Sequence, residues 1–143
     1  MLISLVALLS ATLFTGAALY ITLVEHPARL GLDDGPLLQQ WQPSYSRALP
    51  IQSGLALIGG GAGLLTGYLT KDWRWMAGSV ALLANWPFTL LAILPVNKRL
   101  MALDPQHTNS ESREMLVQWG KLHNVRSASG AIAMLFFAAA FAR

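Results

Sequence analysis

Two histidines, an arginine and a few amides and aromatic rings are the side chains of this 143-residue sequence that could do chemistry. His26 and His123 carry imidazoles, bases suited to taking and returning a proton near neutral pH. Arg126 is a permanent cation, the kind of group that steadies a developing oxyanion. Asn85, Thr89 and Asn97 can orient the oxygens of a ligand. Trp41, Tyr45 and Trp119 offer ring faces to stack on, and Arg47 adds a further cation beside them.

The surroundings of these residues are apolar. Charged residues make up 12% and hydrophobic ones 54% of the chain, against about 25% charged in soluble domains. Leu2 to Val24, Pro50 to Thr70 and Trp75 to Val96 contain no charge, and stretches of roughly 20 such residues match a bilayer core. A fourth, Ser127 to Ala142, is shorter. It spans only if continued backwards through Arg126, His123 and Trp119, which puts polar groups inside a bundle, where they are costly and tend to mark function.

An all-α chain is therefore expected, one integral membrane domain over residues 1–143 with helices at about 2–26, 49–70, 74–97 and 112–142. The first segment lacks the basic start and small-residue cleavage site of a secretory signal, so it is expected to be retained. Helices two and three are joined by a tight turn. Two long connections, about Glu25 to Leu49 and the segment after Pro95, then fall on the same membrane side. The first, rich in proline and glycine, is expected to be a lid carrying Trp41, Tyr45 and Arg47. In the second, Thr108 to Glu111 resembles a helix-capping box, with a helix restarting near Ser110.

Helical periodicity sorts the polar residues onto faces. Thr12, Thr15, Gly16, Leu19, Leu23 and His26 form one stripe. Asn85 and Thr89 share another, in a helix loosened by Pro87 and Pro95. Trp119, His123, Arg126, Ser127 and Gly130 form a third. His26, Asn97, His123 and Arg126 all lie toward one end of the bundle.

Plainer roles compete with the chemical ones. Asn85 and Thr89 could bond another helix, Arg126 could snorkel, and Trp73 and Trp75 suit a headgroup anchor. Gly59, Gly63 and Gly67 recur at every fourth residue, a ridge for close helix packing or for a homo-oligomer. A transition metal on Glu25, His26 and His123, with His107 as a further nitrogen, is the main alternative to a site without a cofactor. Against it, no two histidines share a helix turn and no HExxH pattern occurs.

The absence of cysteine removes disulfides and thiolate ligands from consideration. Although the net charge is +3, Lys and Arg are scattered at helix ends and form no face for nucleic acid. Lys71, Arg74 and Arg143 fall on one side; Arg29, Arg47, Lys98, Arg99, Arg113 and Lys121 fall on the other. Both termini are then expected outside, in a bacterial inner membrane.

Taken in order, these residues resemble the DUF1772 or anthrone oxygenase-like family of small four-helix membrane proteins. The resemblance spans nearly the whole chain: Gly16 to Tyr20 leading into His26 and Pro27; Trp41, Tyr45 and Arg47; Asn85, Thr89, Pro95, Asn97 and Leu100; and Trp119, His123 and Arg126. It implies an oxygenase-like oxidoreductase acting on a hydrophobic aromatic or quinone-like molecule without flavin, haem or a recognised metal. His123 or His26 would be the base and Arg126 the oxyanion partner. Asn85, Thr89, Asn97, Trp119, Trp41, Tyr45 and Arg47 would hold the substrate. The alternative reading is a non-enzymatic bundle that binds a lipid, a small ligand or a partner protein.

Overall fold

The computed structural model describes residues 1–142, so Arg143, counted above for orientation, lies outside the described residues. Four helices are long and apolar enough to cross a membrane: α1 (Leu2–Leu30), α2 (Asp34–Thr70), α3 (Trp73–Ala102) and α4 (Ser110–Phe141). No strand occurs among the described residues.

The first long connection is not a loop. Only Gly31 to Asp33 separate α1 from α2, and α2 runs for 37 residues through Pro43 and Pro50, roughly 55 Å at 1.5 Å per residue. Pro36 sits in the first turn, where its missing N–H is not needed. The carbonyls of Gln39 and Ser46, which lose their donors to Pro43 and Pro50, belong to exposed residues. Proline count suggested a lid; the exposure of those carbonyls lets a helix form instead.

The second connection is short as well. Asp104 accepts from the Gln106 N–H at 2.9 Å and lies 2.7 Å from His107 Nδ1. The capping box of α4 falls one residue later than expected, on Asn109, which accepts from the Ser112 N–H at 3.1 Å; Asn is a better cap than Thr. Arg113 ties this corner down, reaching Asp34 Oδ1 at 2.5 Å and the Leu30 carbonyl at 2.9 Å. It thereby satisfies an orphan acceptor at the end of α1.

The two ends of the bundle hold together differently. Where the helices are sheathed in lipid there is no hydrophobic drive between them, and close packing takes over. Gly59, Gly63 and Gly67 are buried within the chain. A Cβ on Gly59 would lie 2.9 Å from Leu82 and 3.0 Å from Ser10. The glycine ridge is therefore spent on packing α2 against α1 and α3, and is not free for an oligomer. Trp75 belongs to this core too, with its ring 5.1 Å from Phe137, whereas Trp73 stays exposed. At the other end, Leu37, Leu38, Trp41, Leu100 and Leu116 are fully buried, a water-driven core in which each side chain contributes about 1.5–3 kcal/mol.

Two helices are unwound at the same level. In α1, Ile21–Glu25 forms a π turn closed by the His26 N–H on the Ile21 carbonyl. In α3, Thr89–Ile93 does the same, closed by the Leu94 N–H on the Thr89 carbonyl. Each turn is followed, after one residue, by a proline, Pro27 or Pro95. A proline has no donor for the carbonyl four residues back and its ring pushes that carbonyl away, so the preceding turn widens. Such π bulges favour functional sites. The extra residue also shifts the phase of α1: Thr12, Gly16, Leu19 and Leu23 of the expected stripe are exposed, and Ala7, Ala11, Phe14, Ala18 and Ile21 face the bundle instead.

Candidate functional site

The widened turns of α1 and α3 meet the N-terminal half of α2 and the middle of α4 around a narrow cleft. Tyr45, Asn97, Trp119, His123 and Arg126 line it, all five expected from the sequence. Trp119, His123, Arg126, Ser127 and Gly130 are all buried on one face of α4, as their spacing predicts.

Arg126 is the electrostatic centre. It is 7% exposed, donates from Nη2 to Gln52 Oε1 at 3.1 Å, and leaves its Nε without a partner. Its guanidinium carbon lies 5.7 Å from the Phe14 ring centroid. Among the described residues no carboxylate pairs with it. It does not snorkel.

His123 sits one turn away. Its Nδ1 is 3.2 Å from Thr22 Oγ1, which lies 2.8 Å from Ser127 Oγ. Which atom carries each proton depends on the tautomer, but the contact fixes the ring and leaves Nε2 as the nitrogen for exchange. Asn97 donates from Nδ2 to the Tyr45 hydroxyl at 3.0 Å, and its Oδ1 is buried without a partner.

Other expected residues stand elsewhere. His26 is buried but does not line the cleft; its ring packs behind Trp119, centroids 5.1 Å apart. Neither of its nitrogens makes a well-formed hydrogen bond. Trp41 also backs the cleft, stacked on Tyr45 with centroids 4.9 Å apart and edge-on to Trp119 at 5.6 Å. Arg47 is exposed and lines no cavity of the bundle, because it lies on the opposite side of α2 from Trp41 and Tyr45.

Asn85 and Thr89 line a second, roomier cavity between α2 and α3. Tyr45, Leu49 and Arg126 are walls of both cavities. Asn85 donates to the Leu82 carbonyl in its own helix at 3.0 Å, not to another helix, and its Oδ1 is unpartnered.

Among the described residues no three His, Cys, Asp or Glu side chains gather where they could hold a metal ion. The Glu25, His26 and His123 set is not assembled. Glu25 is turned toward Arg29, which is 3% exposed, and accepts from Ser44 Oγ at 2.7 Å. His107 is exposed, in the α3–α4 connection.

Sequence reasoning missed Arg29, Gln52, Thr22 and Ser44. Gln52 carried a signal, an amide inside an uncharged apolar stretch. Arg29 did too, three residues after His26 and hence on the same face. Thr22 and Ser44 carried none, since a hydroxyl in an apolar helix commonly bonds its own backbone.

A cation without a carboxylate, a tethered imidazole and an aromatic wall, set between four apolar helices, define a small membrane protein with a buried polar site. The chain belongs to the anthrone oxygenase family, whose model matches residues 41–136. It is 29% identical over 136 residues to the anthrone oxygenase of Claviceps purpurea, covering 85% of this chain and 78% of that protein. It is likewise 29% identical over 134 residues to the anthrone oxygenase tpcL of Aspergillus fumigatus, covering 85% and 81%. No solved structure matches the chain. Family membership supports an oxygenase-like function.

Proposed function

We propose that the protein oxidises a hydrophobic, anthrone-like aromatic with molecular oxygen, using the substrate's own electrons instead of a cofactor's. The observation that carries this reading is Arg126: buried, bonded to a neutral amide and without a carboxylate. Such a charge is costly in a low-dielectric site unless an anion arrives to meet it. An anthrone supplies that anion when it loses a proton from the methylene between its rings.

His123 takes the proton, and the enolate oxygen settles on Arg126 and Gln52. The carbanion's electron pair forms a C–O bond with O₂, and the peroxide is protonated. Loss of the second methylene proton then breaks the O–O bond and expels water. The methylene and O₂ become a carbonyl and H₂O. Tyr45, Asn97 and Trp119 hold the ring system, while His26 and Trp41 support Trp119 and Tyr45 from behind. In this reading the site end faces the cytoplasm, because exposed Arg47, Lys98, Arg99 and Lys121 all lie there.

The test is oxygen uptake by protein in lipid nanodiscs supplied with a hydroxyanthrone, corrected for spontaneous oxidation. One O₂ should be consumed per quinone formed. In folded, inserted protein, His123→Ala and Arg126→Ala should each slow turnover by about a hundredfold or more. Variants as fast as the parent would overturn the mechanism. A parent protein that binds the anthrone but consumes no oxygen would favour a ligand-binding bundle.

A further inference from the structure

We infer that the cavity between α2 and α3 is a lateral portal through which a flat aromatic ligand passes from the bilayer to Arg126; this rests on the proposed oxidation only for the identity of the ligand. The two cavities adjoin at Tyr45, Leu49 and Arg126. Val24, Pro50, Val96 and Ser127 mark where the uncharged stretches end. The first cleft extends past that level to Arg29, Ser44, Tyr45, Asn97 and His123, whereas the second, apart from the shared Tyr45, Leu49 and Arg126, is lined from the lipid side by Ser53, Ala56, Asn85, Trp86 and Thr89.

The gap has a structural cause. Near the hairpin, α2 and α3 are drawn together by Gly60 and Gly67, whose missing Cβ atoms admit Leu83 and Met76. Beyond Gly59 the next glycine, Gly54, faces open space and draws no neighbour in. There α3 carries Pro87 and widens through the Thr89–Ile93 π turn. The helices part, and α2 keeps few contacts with the last segment of α3. Leu90 and Trp86 flank the opening, 53% and 36% exposed on the surface that lipid covers.

Polar atoms wait at the inner end. Asn85, 4% exposed, and Arg126, 7% exposed, both line this cavity, and Asn85 Oδ1 and Arg126 Nε have no partner. Lipid tails cannot satisfy either atom. A phenol can: its hydroxyl donates to Asn85 Oδ1, and its ionised or carbonyl oxygen accepts from Arg126. The occupant is therefore a lipid-soluble polycyclic phenol or enol with its apolar edge toward the bilayer.

The absence of cysteine permits a direct test on the intact chain in vesicles of uncharged phosphatidylcholine. Ser53→Cys places one thiol in the portal wall. Gly61→Cys places one on an exposed face with open space around it. Each is alkylated with a membrane-soluble aromatic maleimide, and binding of a hydroxyanthraquinone is read from quenching of tryptophan fluorescence. Alkylation at Ser53→Cys should weaken binding roughly tenfold or more, and bound quinone should slow that alkylation. Neither effect should occur at Gly61→Cys. Binding unchanged after complete alkylation at Ser53→Cys would overturn the portal, even if the parent oxidised anthrones. Binding lost there and kept at Gly61→Cys would support it, even if the parent oxidised nothing.

Discussion

The Thr22 hydroxyl lies 3.2 Å from His123 Nδ1, joining α1 to α4 across the site. Thr22 belongs to the π turn of α1, so the local widening aims a hydroxyl at the proposed base. Thr22→Val should leave KM nearly unchanged and lower kcat, on the order of tenfold, because it frees the ring without touching substrate. Thr22→Ser should restore most of the rate. A fall in KM and kcat together would assign Thr22 to substrate contact instead.

Among the described residues, Gln52 is the sole hydrogen-bonding side chain given to Arg126. Its removal in Gln52→Leu strands a buried charge, and a loss of about 1–3 kcal/mol in unfolding free energy is expected. Anionic ligands should recover more of that stability in the variant than in the parent, measured by thermal unfolding with and without a hydroxyanthraquinone. An equal recovery in both would show that the ligand does not meet Arg126.

Gly120 is where α4 lets His26 in. A Cβ there would stand 2.5 Å from His26 Nε2 and 2.6 Å from its Cδ2, and the ring is held on its other side by Trp119. Gly120→Ala should destabilise the protein by about 1–3 kcal/mol. It should also shift the tryptophan emission spectrum as Trp119 moves. Gly120→Ala combined with His26→Ala should recover part of that loss, since the clashing ring is gone.

Asp104 supplies a pH response outside the spanning helices. The Gln106 N–H, and after it the His107 side chain, hold its carboxyl below the ordinary carboxylate range. A depressed folded-state pKa means that the stabilising interaction is complete above the unfolded value and is lost as pH falls through the folded one. The parent should therefore lose this contribution below about pH 4. Asp104→Asn should lack that part of the acid limb in a series of thermal unfolding curves.

If the substrate supplies the electrons, exhaustive treatment with chelators should leave oxygen uptake at the parent rate. Elemental analysis of the active protein should find no stoichiometric copper, iron or zinc. Activity lost to a chelator and restored by one metal would replace the proposed chemistry with a metal-centred one.

Periodicity and charge placement were enough to find four helices and the face of α4 that carries Trp119, His123 and Arg126, because one long regular helix keeps its phase. They misplaced α1, where a single π turn shifts every later residue around the axis. The segment from about Glu25 to Leu49 read as a lid because proline weighs against helix locally; whether water can reach the freed carbonyls is a tertiary fact. Likewise, Gln52 as the partner of Arg126 depends on how α2 and α4 lie together, which no single helix encodes.

Because α2 runs unbroken from the turn at Asp33 to the left-handed Lys71, its lipid-facing half and its outer half behave as one lever. Any tilt imposed on Ile58 or Leu65 by a thicker or thinner bilayer is carried at the same angle to Tyr45 and Trp41. The geometry of the proposed site is thus mechanically exposed to membrane thickness, and the lipid composition around the protein becomes a variable of the proposed chemistry.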